Sequence, residues 1–265
     1  IWSMKYSKKS LGQNFLIDKN IIKKIINLLI LKNKNIVEIG PGNGALTDEI
    51  IKKSPKSLIV IEKDLNLAEK LKAKYSENKF IKIYNNDILK LDIEKIINKN
   101  SIIIGNLPYN ISSQILVKFL KFNIWPPKFK DMIFMFQKEL GEKIIGQFLS
   151  PQYGRLSIFS NYRLSVIKKF LVSPNCFIPK PKVISMVIHF KPKSLTKNFK
   201  IKNINNLEKI THFFFSNKRK MINKNIRKLF GNKKIKNISG LEGNLRPSEI
   251  RPEIYYKITE IYEKS

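Results

Sequence analysis

Short apolar runs alternate with amphipathic segments along the first two thirds of the chain. Five runs are rich in Ile and Val and apolar along most of their length, which is typical of strands in a parallel sheet covered on both faces. They span residues 36–40, 57–62, 80–85, 101–106 and 132–137. Apolar residues recur at helical spacing over 20–31, 45–53, 65–74 and 113–121. This alternation predicts a doubly wound α/β sheet.

The pattern changes in the last third of the chain. Two more apolar runs, 166–172 and 183–190, predict further strands. After Pro192 the segments are helical in pattern and rich in Lys and Asn, with no further strand signal. We therefore predict a sheet-containing domain over residues 1–195 and a small all-helical domain over 196–265.

Composition limits the kinds of site that the chain can hold. With one cysteine, Cys176, and two histidines, His189 and His212, a zinc site or a Cys/His nucleophile pair is not expected. A single cysteine also fits a reducing cytoplasm. No apolar run approaches the roughly 18 residues of a membrane span, and no apolar signal-peptide segment follows the first residues, so we expect a cytoplasmic protein without a metal or a membrane contact.

The net charge of the chain indicates what kind of molecule it binds. The chain has 51 basic and 20 acidic residues, a net charge of +31. Most of the basic residues are lysines, and an AT-rich coding sequence would account for part of them. The self-repulsion of so many like charges nevertheless favours a polyanion, such as a nucleic acid, as the partner.

A glycine-rich turn follows the first predicted strand and suggests a nucleoside cofactor. Glycines at a strand-to-helix turn allow the backbone to approach a ligand closely, and the helix N-terminus is electropositive. Gly40, Gly42 and Ala45 match the spacing of the dinucleotide fingerprint, whereas Glu38 with Gly40, Gly42 and Gly44 matches the S-adenosylmethionine turn of methyltransferases. The turn alone leaves both cofactors open.

Carboxylates follow the next two strands. Glu62 ends the second strand, where either cofactor needs an acceptor for its ribose hydroxyls. Asp87 follows the third strand, where its side chain would accept the amine of an adenine, with the backbone of Ile88 beside it.

The fourth strand ends in the tetrapeptide Asn106-Leu107-Pro108-Tyr109. The N6 amine of adenine is a poor nucleophile because its lone pair is delocalised into the ring. The Asn106 amide oxygen and the Pro108 carbonyl would accept its two hydrogens, localise the lone pair and aim it at a methyl group. Tyr109 would stack on the base, a contact worth about 1–3 kcal/mol. The base would have to leave its stack to reach this loop.

Seven short motifs, which follow one another over nearly the whole chain, match those of a known family. They are 10–18 (SLGQNFLID), 37–47 (VEIGPGNGALT), 105–112 (GNLPYNIS), 136–139 (FQKE), 153–157 (YGRLS), 177–183 (FIPKPKV) and 217–220 (NKRK). With these motifs the chain resembles the bacterial ribosomal RNA adenine dimethyltransferases, the kasugamycin-sensitivity enzymes.

The resemblance implies a fold, a reaction and a set of site residues. It implies a Rossmann-like sheet and the transfer of four methyl groups from S-adenosylmethionine to two adjacent adenines near the 3′ end of small-subunit (16S) rRNA, late in 30S assembly. We expect such an enzyme to be a monomer. Matching positions imply that Tyr109 and Phe177 sandwich the target base while Asn106 and Pro108 serve catalysis. The implied cofactor contacts are Asn14, Leu16, Gly40, Gly42, Glu62, Asp87, Ile88 and Asn106.

Basic residues near these motifs are the predicted RNA contacts. They are Lys8, Lys9, Lys182, Lys218, Arg219 and Lys220. The family prefers paired arginines in the last cluster, and a lysine in place of an arginine loses bidentate phosphate contacts. RNA docking is therefore expected to differ in detail from that of other family members.

Four other functions compete with this one. The related antibiotic-resistance methyltransferases act on large-subunit rRNA, but they usually carry Ile where Leu107 stands and Ser where Gly12 stands. An RNA-binding assembly factor without activity would be expected to lose Asn106, Tyr109 or the glycine turn. A nicotinamide dehydrogenase leaves the 106–109 loop and the charge unexplained, and DNA adenine methyltransferases usually have Asp or Ser in place of Asn106.

Overall fold

The computed structural model of the protein describes residues 13–194, 199–231 and 238–264. The strands in these residues are β1 (Phe15–Leu16), β2 (Asn35–Ile39), β3 (Ser57–Glu62), β4 (Ile81–Asn85), β5 (Ser101–Asn106), β6 (Phe129–Gln137), β7 (Leu164–Val172), β8 (Phe177–Ile178) and β9 (Ser185–Pro192). The helices are α1 (Lys19–Ile26), α2 (Ala45–Ile51), α3 (Leu65–Lys74), α4 (Ile93–Ile96), α5 (Ser112–Leu120), α6 (Lys138–Ile144), α7 (Arg155–Arg163), α8 (Ile204–Phe215), α9 (Asn223–Phe230) and α10 (Pro252–Tyr262).

Seven strands form one sheet in the order β4-β3-β2-β5-β6-β9-β7. Strands β2 to β6 pair in parallel with one another, and β9 pairs with β6 in the antiparallel direction. The chain builds outward from β2 to β4 and then returns to the other side of β2 with β5. Open α/β sheets bind ligands where the strand order reverses in this way, at the carboxyl ends of the strands.

The central strands are buried on both faces. Consecutive side chains of a strand point to opposite faces, and Ile102, Ile103 and Ile104 of β5 are all buried. Helices cover both faces, and aromatic rings from α5 and β6 meet edge to face at Phe119 and Phe134, 5.6 Å between centroids. The sheet is therefore a rigid platform for the loops that leave its carboxyl edge.

Aspartates fix where two of the helices begin. The Asp18 carboxylate accepts the backbone N–H groups of Asn20 and Ile21, at 2.8 and 2.9 Å. Asp64 does the same for Asn66 at the start of α3, at 3.0 Å. Such N-caps satisfy backbone donors that have no partner within the helix, so each helix begins at a fixed residue after its strand.

The chain divides into two compact units. Among the described residues, the first unit consists of 13–122, 127–141 and 166–192 and holds the sheet; the second consists of 123–126, 142–165, 193–194, 199–231 and 238–264. In the second unit α7, α8 and α10 pack together, with the Tyr256 hydroxyl donating to the Ile158 carbonyl at 3.1 Å. The sequence placed the division after residue 195 and assigned 142–165 to the sheet domain, whereas this segment packs with the C-terminal helices.

The predicted doubly wound sheet is confirmed. All seven predicted strands are present in the sheet, although β6 begins three residues earlier than predicted, at Phe129. The two-residue strands β1 and β8 were not predicted. They pair with each other, Phe15 with Ile178 and Leu16 with Phe177, so they exist through a long-range contact that leaves no periodic pattern in either segment.

Candidate active site

A cavity lies at the carboxyl ends of the central strands, within the first unit. Its lining comes from 13–16, 39–43, 45–46, 61–63, 86–88, 106–111 and Ile115. The register explains the convergence: Ile39 pairs with Ile61 on one side and with Gly105 on the other. The residues that immediately follow this row are Gly40, Glu62 and Asn106, which the sequence singled out separately.

The glycine turn after β2 requires its glycines. Gly40 and Gly42 have φ angles of +66° and +58°, a region that L side chains rarely adopt. A Cβ on Gly42 would also lie 2.8 Å from the Phe15 ring. The turn therefore keeps its backbone close to the cavity, with no side chain in between.

Glu62 anchors this turn. Its Oε2 accepts the Gly42 N–H at 3.3 Å, and its Oε1 accepts the Asp64 N–H at 2.8 Å. Burial raises the pKa of Glu62 despite these two hydrogen bonds, which act in the opposite direction. The carboxylate lines the cavity and retains lone pairs for ligand hydroxyls.

A second acid, Glu38, lies beneath the turn and is completely buried. The Thr47 hydroxyl donates to its Oε2 at 2.7 Å, and no described residue hydrogen-bonds its Oε1. Burial, reinforced by the nearby charges of Asp48 and Glu62, raises the pKa of Glu38 from 4.5 to about 8. This carboxyl group is therefore largely protonated at neutral pH.

Asp87 is held at the cavity wall by the chain and by a lysine. Its Oδ1 accepts the Leu89 N–H at 2.9 Å, and its Oδ2 is 2.9 Å from the Lys63 Nζ. Burial acts to raise the pKa of Asp87, but these hydrogen bonds and the charges of Lys63 and Lys90 outweigh it and lower the pKa. Asp87 is therefore an ionised acceptor beside the buried Ile88.

The 106–109 loop continues directly from β5. The Asn106 Nδ2 donates to the Asn14 carbonyl at 3.0 Å, and because this bond uses an amide hydrogen, Oδ1 stays an acceptor. The Pro108 carbonyl accepts the Ile111 N–H at 3.2 Å and has a second lone pair. The Tyr109 hydroxyl lies 2.5 Å from the Ser185 Oγ, and burial raises the pKa of Tyr109.

Phe177, the predicted partner of Tyr109 in the base sandwich, is buried in this structure. Its ring is only 2% exposed and belongs to the hydrophobic core, because the β1–β8 pairing sets it opposite Leu16. Phe177 is not among the residues that line the cavity. In this conformation it supports the segment that carries Asn14 and Leu16, and a sandwich with Tyr109 would require it to leave the core.

The predicted RNA contacts divide between the two units. Lys182 is exposed in the first unit, and Lys218, Arg219 and Lys220 are exposed after α8 in the second. Lys8 and Lys9 lie outside the described residues. Within the described ranges no cluster of His, Cys, Asp and Glu could hold a metal ion, and no helix there is long and apolar enough to cross a membrane.

Sequence reasoning missed several residues that build the site. Lys63, which pairs with Asp87, gave no signal in a lysine-rich chain. Ser185 gave none either, because its contact with Tyr109 spans 76 positions. Glu38 was noted only as part of a motif, although a carboxylate in an otherwise apolar strand indicates a buried polar contact.

Comparison with known proteins identifies the family. The model of the family described as "Ribosomal RNA adenine dimethylase" matches residues 4–264. The chain belongs to the ribosomal RNA adenine dimethylase family. It is 45% identical, over 261 residues, to a ribosomal RNA small subunit methyltransferase A of Pelagibacter ubique, and the match covers 97% of each chain.

Solved structures support the fold of this family member. A dimethyladenosine transferase from Plasmodium falciparum matches with a TM-score of 0.73 and 23% identity, covering 94% of this chain and 98% of the other. The 23S rRNA methyltransferase ErmE matches with a TM-score of 0.67 and 23% identity, covering 94% and 100%. The fold is thus the Rossmann-like methyltransferase fold that the resemblance implied.

Membership of this family identifies the cofactor. The protein is an S-adenosylmethionine-dependent rRNA adenine dimethyltransferase, and the glycine turn is of the methyltransferase type rather than the dinucleotide type. The site fits this cofactor: Gly40 and Gly42 line the cavity without side chains, and Glu62 and Asp87 present acceptors along its wall.

The buried acid predicts an unusual pH dependence of stability. The folded protein holds the Glu38 proton up to about pH 8, whereas the unfolded chain releases it near 4.5. The contribution of Glu38 to the free energy of unfolding therefore decreases as the pH rises from about 4.5 to about 8. In Glu38→Gln we expect the loss of stability between about pH 6 and pH 8 to be smaller than in the wild type by roughly 1–3 kcal/mol.

Urea denaturation at both pH values measures this difference. The control, Glu77→Gln, makes the same chemical change at an exposed position. A Glu38→Gln protein whose stability falls with pH as steeply as that of the control would contradict a protonated Glu38.

Proposed function

We propose that the protein dimethylates the N6 amines of two adjacent adenines near the 3′ end of 16S rRNA, on an immature 30S subunit. We further propose that it acts in the cytoplasm as a monomer. The observation that carries the proposal is the shared row of strand ends. It sets the glycine turn 40–44, called the cofactor turn below, beside the 106–109 loop, called the acceptor loop. Similarity to a small-subunit methyltransferase along the whole chain supports this substrate.

On the cofactor side, we assign the residues by their position in the cavity. Gly40 and Gly42 would cradle the methionine part, Glu62 the ribose hydroxyls, and Asp87 with Ile88 the adenine. S-adenosylmethionine, when bound, supplies an electrophilic methyl group on a sulfonium. Asn14 and Leu16 would complete the cofactor side of the cavity; Leu16 lies in β1, which pairs with β8. The Asn14 carbonyl also accepts the Asn106 Nδ2, which joins this side of the cavity to the acceptor loop.

On the substrate side, Asn106 and Pro108 would activate the amine. The Asn106 Oδ1 and the second lone pair of the Pro108 carbonyl accept the two N6 hydrogens, which localises the nitrogen lone pair for attack on the methyl carbon. Gly40, Gly42, Glu62 and Asp87 would hold the donor, which would supply the methyl group to this nitrogen and leave as a neutral thioether. The methylated amine then loses a proton, so no carboxylate is needed in the loop. Tyr109 holds the base by stacking.

Exposed cations would bind the RNA backbone. Lys182 stands in the segment that leads to β9, in the same unit as the cavity, and Lys218, Arg219 and Lys220 form an exposed cluster in the second unit. A net charge of +31 provides general attraction to a polyanion.

The decisive test is methyl transfer from labelled S-adenosylmethionine to ribosomal subunits that lack this modification. We expect label as N6,N6-dimethyladenine in small-subunit rRNA and none in large subunits assayed in parallel. Label in the large subunit would instead assign the protein to the resistance-type activity. Absence of label in either, with the cofactor still bound, would favour an assembly factor.

Asn106→Ala tests the acceptor loop. Loss of one preorganised hydrogen-bonding group in an active site typically costs about 10²–10³ in kcat, and we expect a decrease of this size with RNA affinity retained. Radiolabel transfer and filter binding measure the two quantities. Asn66→Ala, on the exposed face of α3, serves as the control; a turnover equal to that of this control would refute the assignment of Asn106.

The salt dependence of RNA binding tests the cationic cluster. Each phosphate contact contributes about 0.7–0.9 to the slope of log affinity against log salt. Replacing Lys218, Arg219 and Lys220 by Gln should therefore reduce the slope by about 2–3. Replacing Lys52, Lys53 and Lys56 by Gln removes the same charge at the amino edge of the sheet. Equal reductions in both triple variants would mean that only overall charge matters.

A further inference from the structure

The Tyr109 ring is connected at its far end to a residue with no assigned role. The Tyr109 hydroxyl and the Ser185 Oγ are 2.5 Å apart, at the short end of the range for a hydrogen bond between hydroxyls. Burial raises the pKa of Tyr109, so its phenol keeps its proton and this bond persists at neutral pH. The bond joins the acceptor loop after β5 to the first residue of β9.

Ser185 is a fixed point for this bond. It is completely buried, and its backbone pairs with Gln137 of β6. The preceding carbonyl, that of Ile184, accepts the Lys138 N–H at 2.9 Å. The hydroxyl of Ser185 therefore extends from the sheet itself and not from a loop.

The main chain of Tyr109 is fixed as well. The Tyr109 carbonyl accepts the Ser112 hydroxyl at 3.1 Å, at the start of α5, and the Pro108 carbonyl accepts the Ile111 N–H. With the backbone held, the ring retains only the rotations about its two side-chain bonds. A hydrogen bond at the far end of the ring restricts these rotations, and with them the plane on which a base would stack.

We propose that Ser185 is a positioning residue for methyl transfer, which holds the Tyr109 ring in the plane that places the adenine N6 between Asn106 and Pro108. This inference rests on the proposed stacking role of Tyr109. It assigns Ser185 no contact with the reacting atoms. Small misplacements of a reacting group lower rates strongly, so the effect of losing this bond belongs in kcat rather than in cofactor binding.

Removal of the hydroxyl from either partner tests the proposal. We expect Ser185→Ala and Tyr109→Phe each to lower kcat about 3- to 10-fold, the range for loss of one hydrogen bond. The KM for small subunits lacking the modification and the calorimetric affinity for S-adenosylmethionine should stay within about twofold, since neither variant removes a group that touches a ligand. The double variant should be no slower than the slower single variant, because both changes remove the same bond.

A matched control separates positioning from folding. Ser101→Ala also removes a buried hydroxyl and its hydrogen bond, 2.7 Å to the Asn98 carbonyl, at the opposite end of β5 from Asn106. We expect wild-type kcat in this control. Tyr109→Phe leaves Ser185 in place, so the test does not depend on how well Ser185→Ala folds.

Tyr109→Ala distinguishes failure of this inference from failure of the proposed function. We expect it to lose more activity than Tyr109→Phe, because it removes the stacking ring. If Tyr109→Ala is impaired but Tyr109→Phe and Ser185→Ala turn over like the wild type, or if their losses multiply in the double variant, the positioning role is wrong. If Tyr109→Ala itself turns over like the wild type, the stacking role of Tyr109 is wrong, and the inference falls with it.

Discussion

The common register of β3, β2 and β5 is the constraint on which the site depends. Ile61, Ile39 and Gly105 lie in one row of the sheet, and each functional segment begins at the next residue. A shift of one residue in either pairing would turn every side chain of that strand to the other face. The burial of these strands on both faces opposes such a shift, so the packing of the core fixes the distance between the cofactor turn and the acceptor loop.

Two buried acids, Glu62 and Glu38, hold the glycine turn and the start of α2 in place. Glu62 holds the turn from the side through the Gly42 N–H, and Glu38 lies beneath it, joined to Thr47 of α2. Both carboxyl groups are raised in pKa by burial. A cationic ligand in the cavity would favour the ionised forms of both acids. Occupancy of the cofactor site and protonation of these residues are therefore linked, most directly at Glu62, which lines the cavity.

The strands and the glycine turn were predictable because their signals are local. Runs such as β3, Ser57–Glu62, are apolar between their two ends, and the turn after β2 has glycines at fixed spacing. Glu62, Gly40 and Asn106 were each found from their place at the end of a predicted strand, whereas the row that joins them comes from the strand order of the sheet. What the pattern did not contain is long-range pairing. The β1–β8 contact buries Phe177, which the family resemblance had assigned to the base. Helix α7 packs with α8 and α10, which begin about 40 and about 90 residues after it ends.

The two halves of the cavity differ in the sequence separation of the hydrogen bonds that hold them. The cofactor turn is held by the bond between the Gly42 N–H and Glu62, 20 positions away at the end of the neighbouring strand. The acceptor half is held by bonds that span 92 and 76 positions, from Asn106 to Asn14 and from Tyr109 to Ser185. The loss of the Ser185 hydroxyl in β9 would therefore remove a contact of the acceptor loop but not the bond between Gly42 and Glu62 that holds the cofactor turn. The geometry of the acceptor loop depends on residues that its own sequence motif does not contain.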